Sequence, residues 1–186
     1  VDFFDVKNDI ENLFGKKAEL LRFVAQPHPA LHPGRSAAIL LDGKQIGFMG
    51  ELHPQWVQDN ELAHAPVVFE VAVDALSHVG LPEVNNLSRQ PLVIRDLAIW
   101  APVDLPVQAI LDTLALHQKD LQELDIIKEV SLFDVWRDVK SESGERSLAF
   151  RFVLQDPQAT LEEVRVEQCM ASVLNVLVNA HNVRQR

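Results

Sequence analysis

Cysteine is almost absent. Cys169 stands alone in 186 residues, so no intrachain disulfide can form and no thiolate cluster can gather a metal. A reducing cytoplasm fits that usage. Long apolar runs are missing too: 47% of the residues are hydrophobic, yet no run approaches the roughly 20 residues of a membrane-crossing helix. No membrane association is expected. Cations are outnumbered, 17 Lys and Arg against 27 Asp and Glu. A formal charge of −10 argues against a general binder of nucleic acid, DNA included, because non-specific affinity comes from many cations meeting phosphates. Any RNA contact has to be local. A GxGxxG turn, a Walker-type phosphate loop and a glycine-flanked serine elbow are all lacking, which leaves nucleotide binding and serine hydrolysis without support. Val1 stands where an initiator Met would, and the chain reads as excised from a longer polypeptide.

The residues present divide into two modules. Val6, Ile10, Leu13 and Phe14 have the spacing of one helical face, with Gly15 as the stop. Leu20 to Val24 reads as a strand, and the prolines of Gln26 to Gly34 predict a loop without regular structure. Two apolar runs, Ser36 to Leu41 and Lys44 to Leu52, meet at Asp42-Gly43, a dipeptide suited to a tight hairpin. His53-Pro54 opens a short helix, and Val67 to Val73 alternates as a strand. Residues 1–80 are thus an antiparallel sheet with helices. A segment with Gly, Pro and Asn-Asn follows, and 81–90 is assigned as a linker.

Residues 91–186 follow the order strand (Arg95 to Ala101), helix (from Pro106), strand (Ile126 to Trp136), strand (Arg146 to Leu154), helix (from Leu161) and a last strand near Val183. Asp104 is expected to mark the start of the first helix, and Thr160 with Glu163 to form a capping box for the second. The second helix is expected to bury Leu161, Val164, Ala171, Leu174 and Val178. Such a βαββαβ order is that of the ferredoxin-like fold, so the chain is classed as α+β.

Both helices of that fold lie on one sheet face, and period-two alternation separates core residues from those on the open face. Leu148, Phe150, Phe152 and Leu154 read as core, as do Leu97, Ile99, Val130 and Leu132. The open face then receives Ala98, Trp100, Ser131, Phe133, Val135, Ser147, Ala149 and Arg151, with Arg184 and Arg186 at the tail. Flat aromatic and small residues beside a cation suit an unpaired base and its phosphate. The same face also suits a protein partner.

His28, His32, Glu51 and His53 are the residue types of a zinc site, but Pro29 and Pro33 prevent the helix that would bring His28 and His32 together. No metal site is expected. For Arg95 and Asp96 the expectation is a mutual salt bridge bracing the strand entrance.

Several motifs carry a resemblance over nearly the whole chain. Pro91-x-x-x-Arg95-Asp96-Leu97-Ala98, Leu132-Phe133-Asp134-Val135-Trp136, Gly144 to Arg151 (GERSLAFR), Thr160 to Val164 (TLEEV) and Arg184 resemble, in order and spacing, the ferredoxin-fold anticodon-binding domain of bacterial phenylalanyl-tRNA synthetase β subunits. Trp136 stands where that family more often has Tyr. Leu31 to Ala37 (LHPGRSA) and Gly47 to Pro54 (GFMGELHP) resemble the inactive, synthetase-like module of the same subunit. The resemblance implies a non-catalytic fragment of a phenylalanine-tRNA ligase, 1–80 being part of the inactive module and 91–186 contacting the anticodon region of tRNA(Phe). It further implies an α-subunit partner in an assembly of two α and two β subunits. ATP and Mg²⁺ would bind at sites outside this chain, with no cofactor in the fragment itself. Candidate RNA contacts are Ala98, Trp100, Phe133, Ser147, Ala149, Arg151 and Arg184; no catalytic residue is assigned. Two other readings stay open: a scaffold module of the synthetase without RNA contact, and a regulatory ferredoxin-like domain binding a small molecule.

Overall fold

A computed structural model describes residues 1–76, 88–137 and 144–186. The chain separates into two compact units, Val1–Val84 and Asn85–Arg186. Residues 81–87 of the expected linker lie outside the described residues.

In the first unit, helix α1 (Phe3–Phe14) starts at Asp2. Asp2 Oδ1 accepts the N–H groups of Phe4 and Asp5 at 2.8 and 3.0 Å, while Asp5 Oδ2 accepts the Asp2 N–H at 2.7 Å. The resulting capping box satisfies three backbone donors at the helix entrance. Val6, Ile10 and Phe14 form its buried stripe and share a core with Leu21, Ile39 and Met49. Strands β1 (Leu21–Ala25), β2 (Leu31–Leu41) and β3 (Lys44–Leu52) are followed by helix α2 (Pro54–Asp59), strand β4 (Val67–Val71) and helix α3 (Val73–Leu76). The four strands make an antiparallel sheet in chain order. Asp42 and Gly43 turn the β2–β3 hairpin with φ of 49° and 75°, the two positive angles that a type I′ turn demands.

The expected loop over 26–34 is corrected at its second half, because β2 already begins at Leu31. Leu31 pairs with Leu52, and pairing resumes at Ser36 with Gly50 after a register shift. Pro33, which has no N–H to give a ladder, falls within that interruption.

In the second unit, β5 (Val93–Pro102), helix α4 (Val107–His117), β6 (Ile127–Trp136), β7 (Glu145–Leu154), helix α5 (Glu163–His181) and the two-residue β8 (Arg184–Gln185) follow the expected order. The antiparallel sheet runs β6-β7-β5-β8. Leu148, Phe150, Phe152 and Leu154 of β7 are buried with Leu97 and Ile99 of β5, as their alternation requires.

Details at the helices differ from expectation. The α5 residues that go fully inside are Val166, Cys169, Val173 and Leu177; of the expected stripe, Leu161 and Leu174 pack half-buried against that core, whereas Val164 and Val178 are 62% and 39% exposed. Apolar residues cover so wide an arc of this helix that periodicity alone does not select the buried stripe. Its capping box does not form: Glu162 is the N-cap without a side-chain bond, Thr160 Oγ1 donates to Gln90 Oε1 at 3.0 Å, and Glu163 turns to Arg95. Nor does Asp104 cap α4, whose N-cap is Pro106.

Candidate nucleic-acid interface

Pairing register converts the open sheet face into rows. Trp100 lies opposite Arg184 on one side and Ser147 on the other, and Ser147 lies opposite Trp136. Arg184, Trp100, Ser147 and Trp136 therefore form one row across all four strands. Ala98, Ala149 and Asp134 form the next, and Asp96, Arg151 and Ser131 a third. Rows on one face are two residues apart, about 6.5–7 Å, and neighbouring strands about 4.8 Å. The alanines thus form a shallow floor between a tryptophan wall and the Arg151 row.

A bulge in β6 builds the far corner. The register shifts between Leu132 and Asp134, so Phe133 is the extra residue. Its ring, 51% exposed, lies 5.0 Å from the Arg151 guanidinium. Beyond the bulge the alternation is inverted. Val135 pairs opposite the core residue Leu148 and so belongs to the helix side, correcting its expected place on the open face. Trp136 takes the open side instead, edge to face with Trp100 at 5.8 Å and 75°.

The candidates occupy this face with different degrees of access. Ala98, Trp100 and Ala149 are half-buried, while Phe133, Arg151 and Arg184 are exposed. Ser147 faces the open side but is only 2% exposed, which corrects its expected accessibility. Its row neighbours are both tryptophans, and Arg186 Nη1 donates to its Oγ at 3.3 Å. Trp136 and Arg186 are additions to the candidate contacts. Only the bulge brings Trp136 round, although its motif already marks an aromatic position.

Charge on the face is largely compensated. Arg151 Nε and Nη2 donate to Asp96 Oδ1 and Oδ2 at 2.9 and 2.8 Å, a bidentate pair. That hydrogen bonding holds the Asp96 carboxyl below the usual carboxylate range and raises Arg151. Arg184 pairs with Glu145 at 2.8 Å, lowering the Glu145 pKa in the same way, and its guanidinium lies 5.2 Å from the Trp100 ring. Arg186 lies 5.6 and 5.7 Å from the Trp100 and Trp136 ring centres. Among the described residues no carboxylate pairs with it. The expected Arg95–Asp96 bridge is replaced by two others: Arg95 pairs with Glu163 at 2.6 Å and Asp96 with Arg151. Adjacent strand residues point to opposite faces, so each takes the partner on its own side.

The histidines considered for metal serve the backbone. Each sits in a His-Pro-x unit and accepts the N–H two residues on through Nδ1: His28 from Ala30 at 3.3 Å, His32 from Gly34 at 3.1 Å, His53 from Gln55 at 3.2 Å. Proline supplies no N–H of its own, which makes the next amide the nearest donor. His28 also stacks on Phe48, and Glu51 pairs with Arg35 at 2.6 Å. Among the described residues no three His, Cys, Asp or Glu side chains gather into a metal site.

Fold and site together define a ferredoxin-like domain with one helix-covered sheet face and one aromatic, arginine-bearing face left open. Residues 88–186 match the model of the ferredoxin-fold anticodon binding domain, and residues 1–73 that of the phenylalanyl tRNA synthetase beta chain CLM domain. The chain belongs to the ferredoxin-fold anticodon binding domain family. It is 56% identical over 190 residues to the phenylalanine-tRNA ligase beta subunit of Bordetella pertussis, an alignment covering 100% of this chain and 24% of the relative. The beta subunit of Nitrosospira multiformis is 45% identical over 186 residues, covering 100% and 23%, and that of Dechloromonas aromatica 43% over 186 residues, covering 100% and 22%. The chain thus spans about a quarter of the length of the curated relatives it matches.

Proposed function

We propose that residues 91–186 hold the anticodon region of tRNA(Phe) on the open sheet face, as a non-catalytic part of a phenylalanine-tRNA ligase. The observation that carries this reading is the Arg184-Trp100-Ser147-Trp136 row beside the Ala98 and Ala149 floor, in a domain of an anticodon-binding family. An unpaired base needs a flat π surface, and indole rings supply it. Small residues let the base approach the sheet, and guanidinium groups stand on either side of the alanine floor, Arg184 in the tryptophan row and Arg151 in the row beyond, for the flanking phosphates. Local recognition of this kind is compatible with a net charge of −10, because stacking does not depend on the field of the whole chain.

The role is positioning. Held by its anticodon end, the tRNA presents its distant acceptor end to the catalytic site of the α subunit, with two α and two β chains in the cytoplasmic enzyme. ATP and Mg²⁺ belong to sites outside this chain. Residues 1–80 act as part of the inactive, synthetase-like module. Its likeness to the beta-chain CLM model supports that assignment.

Each stacked base contributes roughly 1–3 kcal/mol, or about 5- to 150-fold in Kd. Fluorescence anisotropy with a labelled anticodon stem-loop is expected to register a loss in that range for Trp100→Ala and for Trp136→Ala. Binding by both variants equal to wild type would remove the proposal.

A further inference from the structure

The tryptophan corner is already filled. The Arg186 guanidinium carbon and the centres of the two indole rings are separated by 5.6, 5.7 and 5.8 Å, so they stand at the vertices of a nearly equilateral triangle. A cation within about 6 Å of an aromatic ring centre is attracted by its quadrupole, and here two rings act on one group. Two further bonds seat it. The Arg186 backbone N–H donates to Ala98 O at 3.0 Å, and Nη1 reaches Ser147 Oγ. The guanidinium therefore lies where a stacked base would need to lie.

Its partners separate it from its neighbours. Arg151 and Arg184 each face a carboxylate, which a phosphate would have to displace. Arg186 is held, among the described residues, by π systems, a hydroxyl and its own backbone bond. Moving it from the rings to a phosphate exchanges a cation–π contact for a full opposite charge, and opens the cleft between Trp100 and Trp136 in the same motion, with Arg184 staying 5.2 Å from the Trp100 ring.

We infer that Arg186 is a displaceable plug of the base-stacking corner: its side chain occupies the Trp100–Trp136 cleft in the free protein and is handed to an RNA phosphate when a base enters. This inference rests on the open-face reading above and adds a residue and an exchange to it. The backbone bond to Ala98 keeps the Arg186 main chain in place, so only the side chain has to move.

Two measurements on the full chain test it, both in a Trp56→Phe background so that fluorescence reports Trp100 and Trp136 alone. Without RNA, Arg186→Ala is expected to raise acrylamide quenching of the tryptophans, and an unchanged quenching constant overturns the plug. With the anticodon stem-loop, Arg186→Ala is expected to lower the slope of log K against log salt by about 0.7, one phosphate on single-stranded RNA. Arg186→Lys is expected to keep the wild-type slope. The Arg186→Ala variant should bind more weakly than wild type at low salt and at least as tightly at high salt, where no plug opposes the base. A loss by the same factor at every salt concentration makes Arg186 a fixed part of the platform and overturns the handover. Absence of wild-type binding, with quenching still raised by Arg186→Ala, defeats the open-face reading and leaves the plug of the free protein standing.

Discussion

Replacing Asp96 by asparagine removes one negative charge from the open face while keeping the shape of the group that holds Arg151. In the native protein both oxygens of Asp96 accept from Arg151, and the two side chains are 44% and 46% exposed. The pair is therefore wetted, and its contribution to stability is screened. Its effect on charge is not small: a guanidinium on the proposed RNA face is cancelled before any phosphate arrives. The side-chain amide of the Asp96→Asn variant can still accept one hydrogen bond, and Phe133 still offers its ring at 5.0 Å, so Arg151 stays on the face with its charge released. One more phosphate neutralised steepens the salt dependence by about 0.7 in log K against log salt. Between 200 and 50 mM salt the variant's advantage over wild type then grows about 2.6-fold. Anisotropy titrations with the anticodon stem-loop at four or five salt concentrations measure this directly. The pH dependence has a fixed sign. Arg151 depresses the folded pKa of Asp96, so the pair stabilises the fold above the ordinary carboxylate range and that contribution is lost as pH falls through the lowered value. Wild type and variant should converge in stability only below about pH 4. An unchanged salt slope, or weaker binding by Asp96→Asn at all salt concentrations, would refute the reasoning.

Two further outcomes test other parts of the structure. Cys169 is fully buried, and burial, with the Asp125 charge behind it, pushes its thiol up to about 11, so an aromatic disulfide reagent at pH 8 should leave the native protein unlabelled and react once urea unfolds it. At Gly47 a Cβ would stand 2.0 Å from the backbone oxygen of Glu70, across the β3–β4 ladder. Gly47→Ala is expected to lower stability by about 1–3 kcal/mol, read as a fall in the urea midpoint with m unchanged.

Much of the second unit is legible in the sequence because β7 alternates without interruption, from Leu148 to Leu154, and fixes which way its neighbours face. Legibility stops at Phe133. A bulge adds one residue without any mark in the sequence, and each residue after it changes sides, which is why alternation misplaces Val135 and misses Trp136. The α5 stripe is misplaced at Val164 and Val178 for the opposite reason, an excess of apolar positions rather than a hidden one. Arg186 can be placed on the open face by counting two from Arg184, but its seat between two tryptophans depends on the bulge. Arg95 and Asp96 are readable in principle, since the pleat that separates core from open face also forbids neighbours in a strand from pairing. The three His-Pro-x turns, by contrast, follow from a dipeptide visible in the sequence.

The central claim is that RNA lies on the face away from α4 and α5. Ultraviolet cross-linking of tRNA(Phe) to the chain, followed by mass mapping of the attached peptides, tests it most directly. Cross-links are predicted on Trp100, Phe133 and Trp136, within 93–102 and 127–136, and they should disappear when unlabelled anticodon stem-loop competes. Cross-links confined to α4 and α5, with the sheet peptides unmodified, would contradict the account.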